Sequence, residues 1–272
     1  MTARPDAATA FHRLHRGPDL LVLANAWDAG TARLMESVGS RAVATTSAGV
    51  AWAHGYADGD TLPVDLLVAT AAAIVRAVNV PVSTDIEGGY SDSPGAVGEL
   101  AARLVDAGVS GINIEDGAGA PDRLCAKIEA VRRAAEARGV NLYINARTDV
   151  YLRGLAPPES RVEETLARAR RYGEAGASGI FVPGVTAPED IRRIAAGTEL
   201  PLNVMARPGL PAGPDLARLG ARRLSAGSAL SEALFSQLSA LARSFLETGD
   251  SNLVCVAAKS YGDLNALMSK RA

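Results

Sequence analysis

Residues 80–90, VPVSTDIEGGY, residues 111–117, GINIEDG, and residues 142–149, LYINARTD, each read as a buried strand that runs into charge. Asp85 and Glu87 close the first, Glu115 and Asp116 the second, Arg147 and Asp149 the third. Helix-like spacers separate them. Apolar strands joined by helices and ending in carboxylates and an arginine point to a metal or anion site at the carboxyl edge of a parallel sheet. Side chains alternate along a strand, so Asp85 shares a face with Glu87, Asn113 with Glu115, and Asn145 with Arg147 and Asp149. Ile86, Ile114 and Ala146 then face outward onto helices.

The same rhythm extends in both directions. LLVLANA (20–26) and RAVATTSAG (41–49) read as strands before the central three; GIFVPG (179–184), PLNVMARPG (201–209) and ARRLSAGS (221–228) read as strands after them. Helical patterns run from about Asp28 to Val38 with Gly39 as the stop, then at about 64–78, 94–107, 121–138, 159–175, PEDIRRIAA (188–196) and 229–247. Residues 51–63 read as a polar, glycine-bearing loop, and residues 1–18 as a short helix or arm with no assigned chemistry. Eight strand–helix units without a domain linker predict a single (β/α)8 barrel domain over 1–272, the barrel at about 19–247 and a helical segment at about 248–272. A doubly wound open sheet is the structural rival.

Composition narrows the class. The chain of 272 residues is 48% hydrophobic but only 4% aromatic, which suits close packing of helices on strands. A net charge of −2 provides no bulk attraction for nucleic acid or an anionic membrane. Cys125 and Cys255 form neither a metal-ligand spacing nor a disulfide framework, as expected in a reducing cytoplasm. The first 18 residues lack the apolar core of a secretory signal, and the run from Leu66 to Val75 is about half the ~20 residues that span a bilayer. A cytoplasmic location is expected.

Asp85, Glu87 and Glu115 on neighbouring strands would repel one another in a low-dielectric mouth, and a hard divalent cation removes that repulsion. An all-oxygen set favours Mg2+ or Mn2+ over Zn2+; the bland alternative is that the three cap their strands or pair with Arg147. Arg147 can hold a substrate carboxylate with two hydrogen bonds, form a salt bridge to Glu115 or Asp149, or both. Thr46, Ser47, Ala48 and Gly49 bring backbone N–H groups and hydroxyls to the end of the second strand. GAGAPD (117–122) lacks the third glycine of a dinucleotide fingerprint. His54 reads as a solvated loop residue, His12 and His15 as surface, and Cys125 as a buried helical thiol.

NAWDAGTARL, TTSAGVA, DIEGGY, GINIEDG and INARTD, in that order over roughly 20–230, resemble the isocitrate lyase/phosphoenolpyruvate mutase superfamily. The resemblance implies a Mg2+-dependent (β/α)8 barrel, a homo-oligomer with an exchanged C-terminal helix, and C–C or P–C chemistry beside a 2-oxo or 2-hydroxy acid. By motif it implies that Asp85 ligates the metal and that Glu87 stands where a second Asp is usual. Glu115 then contacts the metal through water, and Asp58 is an acidic residue of the metal site. Thr46, Ser47 and Ala48 would hold the substrate carboxylate, Arg147 would stabilise charge, and Asn203 would touch substrate. The expected catalytic residues are therefore Arg147, Glu115 and Asp58, and the expected ligands Asp85, Glu87 and Glu115.

Departures from the pattern are informative. The K-[KR]-C-G-H lid motif of the isocitrate lyases is replaced by a short GAGAPDR, and the sixth strand ends in Pro183–Gly184. A short lid favours simple cleavage or decarboxylation over a guarded mutase reaction. The expectation is a Mg2+-dependent lyase or decarboxylase for a small 2-oxo or 2-hydroxy di- or tricarboxylate. A phosphonomutase or phosphonopyruvate hydrolase is the first alternative, and a non-catalytic 2-oxoacid-binding protein the second.

Overall fold

In the computed structural model, which describes residues 3–256 and 259–269, eight parallel strands form one nearly closed sheet. They are β1 (Leu21–Leu23), β2 (Val43–Ala44), β3 (Val82–Asp85), β4 (Gly111–Glu115), β5 (Tyr143–Arg147), β6 (Gly179–Phe181), β7 (Leu202–Met205) and β8 (Arg223–Ser225). Their order is β1-β8-β7-β6-β5-β4-β3-β2. The seam between β1 and β2 is closed by a bridge of Ala26 with Thr45, in which Ala26 N donates to Ala44 O and Thr46 N to Ala26 O. Asn25 clamps the same corner: its Nδ2 donates to Thr45 O (2.8 Å) and its Oδ1 accepts from Gly227 N (3.0 Å). The barrel is the expected architecture, and the open-sheet rival is excluded.

The helices follow from ordinary local rules. α1 (Pro5–Arg16), α2 (Ala29–Ser37), α3 (Ser47–Ala53), α4 (Val64–Ala77), α5 (Pro94–Asp106), α6 (Pro121–Glu136), α7 (Arg161–Glu174), α8 (Pro188–Ala196) and α9 (Gly213–Arg218) surround the strands. Proline at the first helical position starts α1, α5, α6 and α8, where its missing N–H has no partner to lose. Asp28 caps α2 through Thr31 N (2.7 Å) while the Thr31 hydroxyl oxygen accepts from Asp28 N (3.2 Å). Leu124, Ile128, Val131 and Ala135 give α6 a buried stripe. That stripe and its counterparts meet the outward strand residues, Ile86, Ile112, Ile114, Ile144, Ala146 and Val204 among them, in the main apolar core.

Two expectations are corrected. The second strand, read over 41–49, ends at Ala44, and α3 takes up its last residues, 47–49, and the start of the stretch read as a loop, because SAGVAWA is an uninterrupted run of small and apolar residues. His15 is not on the surface. Phe11 and His15 lie one turn apart on α1 and both face the amino-terminal end of the barrel. Phe11 joins Leu21, Leu23, Ala42, Ala44 and Tyr143 in a second core, and the His15 ring stacks on Tyr143 at 3.9 Å. Burial, with the Arg223 charge nearby, lowers His15 to a pKa of about 3. His12 is half-buried on the same face, its Nε2 3.1 Å from Asn141 O.

α10 (Ala229–Thr248), α11 (Asn252–Val256) and α12 (Tyr261–Ser269) complete the described chain. α12 packs on α2, where Arg33 Nε donates to Leu267 O (3.1 Å). The expected C-terminal segment also includes residues 257–258 and 270–272 and the Val256 side chain, which lie outside the described residues. No described helix is long and apolar enough to cross a membrane.

Candidate active site

The carboxyl ends of β3, β4 and β5 converge as the alternation of their side chains requires. Asp85, Asn113 and Asn145 stand side by side in the strand register, and Glu115 stands beside Arg147. Asp85 is 8% exposed, and each of its carboxylate oxygens accepts one hydrogen bond. Its Oδ1 accepts from Glu87 N (3.0 Å), its Oδ2 accepts from Asn113 Nδ2 (3.1 Å), and its own N–H donates to Thr45 Oγ1 (2.8 Å). Burial raises its pKa, opposed chiefly by the Arg147 charge.

Glu87 lies beyond the end of β3, and the alternation that predicted its direction stops there. Its φ is +50°, and its carboxylate turns to the loop after β2. Oε2 accepts from the backbone N–H groups of Gly59 (2.7 Å) and Asp60, and Oε1 from the Tyr90 hydroxyl (2.7 Å). A Cβ at Gly88 would come within 2.8 Å of Asp60 Oδ2 and push that carboxylate aside. Burial raises the pKa of both Glu87 and Asp60. Asp58 is exposed on this loop, and its charge reaches Asp85, Glu87 and Asp60.

Arg147 is held on both sides. Its Nε and Nη2 donate to the two oxygens of Asp149 (2.7 and 3.1 Å), and its Nη1 to Glu115 Oε2 (2.7 Å). The salt bridge that sequence reading set beside a substrate role is therefore present twice over, and two guanidinium N–H bonds remain. Asp149 is fully buried and also receives Arg153. Burial, and the charges of Asp85, Asp149 and Glu87 against the single opposing charge of Arg147, push Glu115 up to about 8. Asp116, at the next position, turns away to Arg168 and Tyr172 of α7.

Thr46 precedes α3, so Ser47 and Ala48 form its first turn, whose N–H groups lack partners inside the helix. Asn203 faces the barrel interior on β7, its Oδ1 accepting from the Ser225 hydroxyl (3.2 Å). Sequence reading missed Thr45, Asp60, Tyr90 and Lys127. Thr45 opens the TTSAGVA motif and Tyr90 closes DIEGGY, but neither was given a role, and Lys127, which donates to Gly88 O (2.6 Å), comes from a helix with no local motif. A cavity of about 310 Å3 opens at this end, lined by Glu87, Glu115, Lys127 and Arg153 among others. A second cavity, of about 420 Å3, lies at the opposite, amino-terminal face around His12 and Arg132. The first borders the candidate site through Glu87 and Glu115, at the end of the barrel where the strand ends carry the charges.

Among the described residues, no group of three or more His, Cys, Asp and Glu side chains is arranged to hold a metal ion. The expected trio of Asp85, Glu87 and Glu115 does not form one cage: Glu87 is bound by its loop and Glu115 by Arg147. What remains is one strand-end carboxylate, Asp85, ringed by other acidic groups. That chemistry fits Mg2+, which is commonly held by one or two carboxylates and keeps several waters.

The phosphoenolpyruvate phosphomutase family model matches residues 11–246. The chain belongs to the isocitrate lyase/phosphoenolpyruvate mutase superfamily. It is 38% identical over 224 residues to an uncharacterised protein of Mycobacterium tuberculosis, covering 80% of this chain and 82% of that one. An oxaloacetate decarboxylase of a Bradyrhizobium species is 32% identical over 183 residues, covering 61% of this chain and 60% of the relative. A crystal structure from Burkholderia cenocepacia J2315, provisionally described as a phosphonomutase, superposes with a TM-score of 0.83 at 40% identity. It covers 88% of this chain and 99% of that one. The superfamily's C–C bond chemistry on small 2-oxo and carboxylate substrates is thus the frame for this site.

Proposed function

We propose that the chain is a Mg2+-dependent lyase or decarboxylase that cleaves a C–C bond of a small 2-oxo or 2-hydroxy di- or tricarboxylate. The observation that carries the reading is the surplus of negative charge at the mouth. Glu115 and Asp149 both pair with one guanidinium whose charge is also the one that opposes the burial of Asp85, and Glu115 is left with a pKa of about 8. A divalent cation, with Mn2+ as an alternative to Mg2+, would offset that surplus and stabilise charge developing on the substrate's 2-oxygen as the adjacent bond breaks.

The chain's own residues supply the rest. Asp85 would hold the cation, and Glu87, Glu115 and Asp58 would hold water around it. The two unused N–H bonds of Arg147 and the first turn of α3, with the Thr46 and Ser47 hydroxyls beside the Ala48 backbone, orient the substrate's carboxylates. Asn203 supports the floor of the site. Glu115 titrates near neutral pH, the property of a group that accepts or returns a proton. The oxaloacetate decarboxylase among the relatives supports a 2-oxo diacid as substrate. The exposed apolar residues of α10, Leu234, Phe235, Leu238 and Leu246 among them, support a homo-oligomer.

P–C chemistry is the second reading, favoured by the family model and the Burkholderia structure. A substrate panel separates the two. EDTA-sensitive pyruvate release from a carboxylic acid supports the lyase, whereas phosphorus NMR showing turnover of phosphonopyruvate alone supports the rival. Tight 2-oxoacid binding without any turnover would make the chain a binding protein and defeat both.

A further inference from the structure

Arg223, on β8, is the largest fully buried side chain among the described residues. Its Nε donates to Ser225 Oγ (2.9 Å), its Nη2 lies 3.5 Å from Asn113 Oδ1, and its Nη1 has no hydrogen-bond partner. Among the described residues no carboxylate lies within ion-pair distance of it. A guanidinium in the centre of a barrel without a counter-ion is costly, and a volume-filling apolar residue would avoid that cost. The contacts of Asn113 account for the choice. Asn113 Oδ1 faces two donors, Asn145 Nδ2 (2.9 Å) and Arg223, which turns its own NH2 onto Asp85 Oδ2 (3.1 Å). Cation, amide and carboxylate thus form a line across the barrel, from β8 through β4 to β3. Burial lowers Arg223 to about 10, still far enough above neutral pH for it to stay charged.

We propose that Arg223 is a positioning residue for Asp85, acting through the Asn113 amide, and that it sets the strength with which Asp85 holds a divalent cation. The second half rests on the reading of Asp85 as a cation ligand. The first half stands on the contacts alone.

Two measurements on the full chain separate them. Mn2+ titrations followed by electron paramagnetic resonance compare wild type with Arg223→Met and Arg223→Lys; urea unfolding without metal compares Arg223→Met, Asp85→Asn and the double variant. The expected result is a loss of Mn2+ affinity of about tenfold or more in Arg223→Met, the scale typical of lost outer contacts to a metal ligand. Arg223→Lys regains most of it. The two substitutions should be non-additive in stability, and the coupling should vanish in an Asn113→Leu background. Additive effects overturn the proposal whether or not Mn2+ binds. Coupling in a wild-type chain that binds no Mn2+ supports the Arg223–Asp85 link and rejects the cation reading. Should Arg223→Met fail to fold, Asn113→Leu replaces it, and wild-type Mn2+ affinity in that folded variant overturns the proposal.

Discussion

Arg147 gives Asp149 two hydrogen bonds, Nε to Oδ1 at 2.7 Å and Nη2 to Oδ2 at 3.1 Å, and reaches Glu115 only with Nη1. Asp149 is fully buried, so the arginine is anchored from below and its exposed edge is aimed at the mouth of the barrel. Asp149→Ala removes that anchor and leaves a largely buried cation with Glu115 as its single carboxylate partner. The expected loss of stability is about 3–5 kcal/mol, read by urea unfolding. A change below about 1 kcal/mol would show that Glu115 alone suffices to hold Arg147.

Glu115 gives the site a pH dependence whose sign is fixed. Its pKa is raised from 4.5 to about 8 in the folded chain. Between those values the unfolded chain has released the proton and the folded chain retains it, so stability falls as pH rises through that window. Thermal unfolding without metal should show a midpoint that declines from pH 5 to 8, and Glu115→Gln should flatten the decline. Equal pH profiles for the two proteins would contradict the assignment.

Gly179 makes room for Tyr143. A Cβ at Gly179 would come within 2.3 Å of Tyr143 Oη and 3.0 Å of its Cζ. Gly179→Ala is therefore expected to cost about 1–3 kcal/mol by overpacking, and Tyr143→Phe in the same chain should recover part of it. Calorimetry on the single and double variants checks both. A neutral Gly179→Ala would show that the β5 side chain moves freely in the barrel floor.

α10 carries Leu234, Phe235, Leu238 and Leu246 at 47%, 45%, 57% and 82% exposure, too large an apolar face for a helix in water alone. Sedimentation should give a mass above that of one chain, and Leu234→Glu with Leu238→Glu should shift it toward the monomer. A wild-type monomer at micromolar concentration would remove the oligomer from the account.

The sequence made the barrel legible because its period was regular: short apolar runs, all but the seventh followed by a helical stripe, the six-residue α9 between β7 and β8 being too short to show one. The alternation along β3, β4 and β5 correctly set Asp85, Asn113, Asn145 and Arg147 inward and Ile114 and Ala146 outward. It failed at Glu87, where a positive φ ends the strand geometry on which alternation depends. It could not assign Asp149 and Glu115 their shares of Arg147, because pairing is decided by distances that spacing does not contain. His15 looked like surface because α1 precedes the first strand, and only the closed barrel shows that its face meets Tyr143. Arg223, inside an unremarkable ARRLSAGS, had no local cue at all.

The central claim is that Asp85 carries a divalent cation for bond cleavage beside a 2-oxo acid. The most direct measurement is pyruvate release from oxaloacetate by wild type and by Asp85→Ala, each with Mg2+ and with EDTA, corrected for the Mg2+-only reaction. The account predicts release by wild type that needs Mg2+, and loss of at least about a hundredfold in Asp85→Ala with the fold intact. Undiminished, Mg2+-dependent release by Asp85→Ala would contradict it.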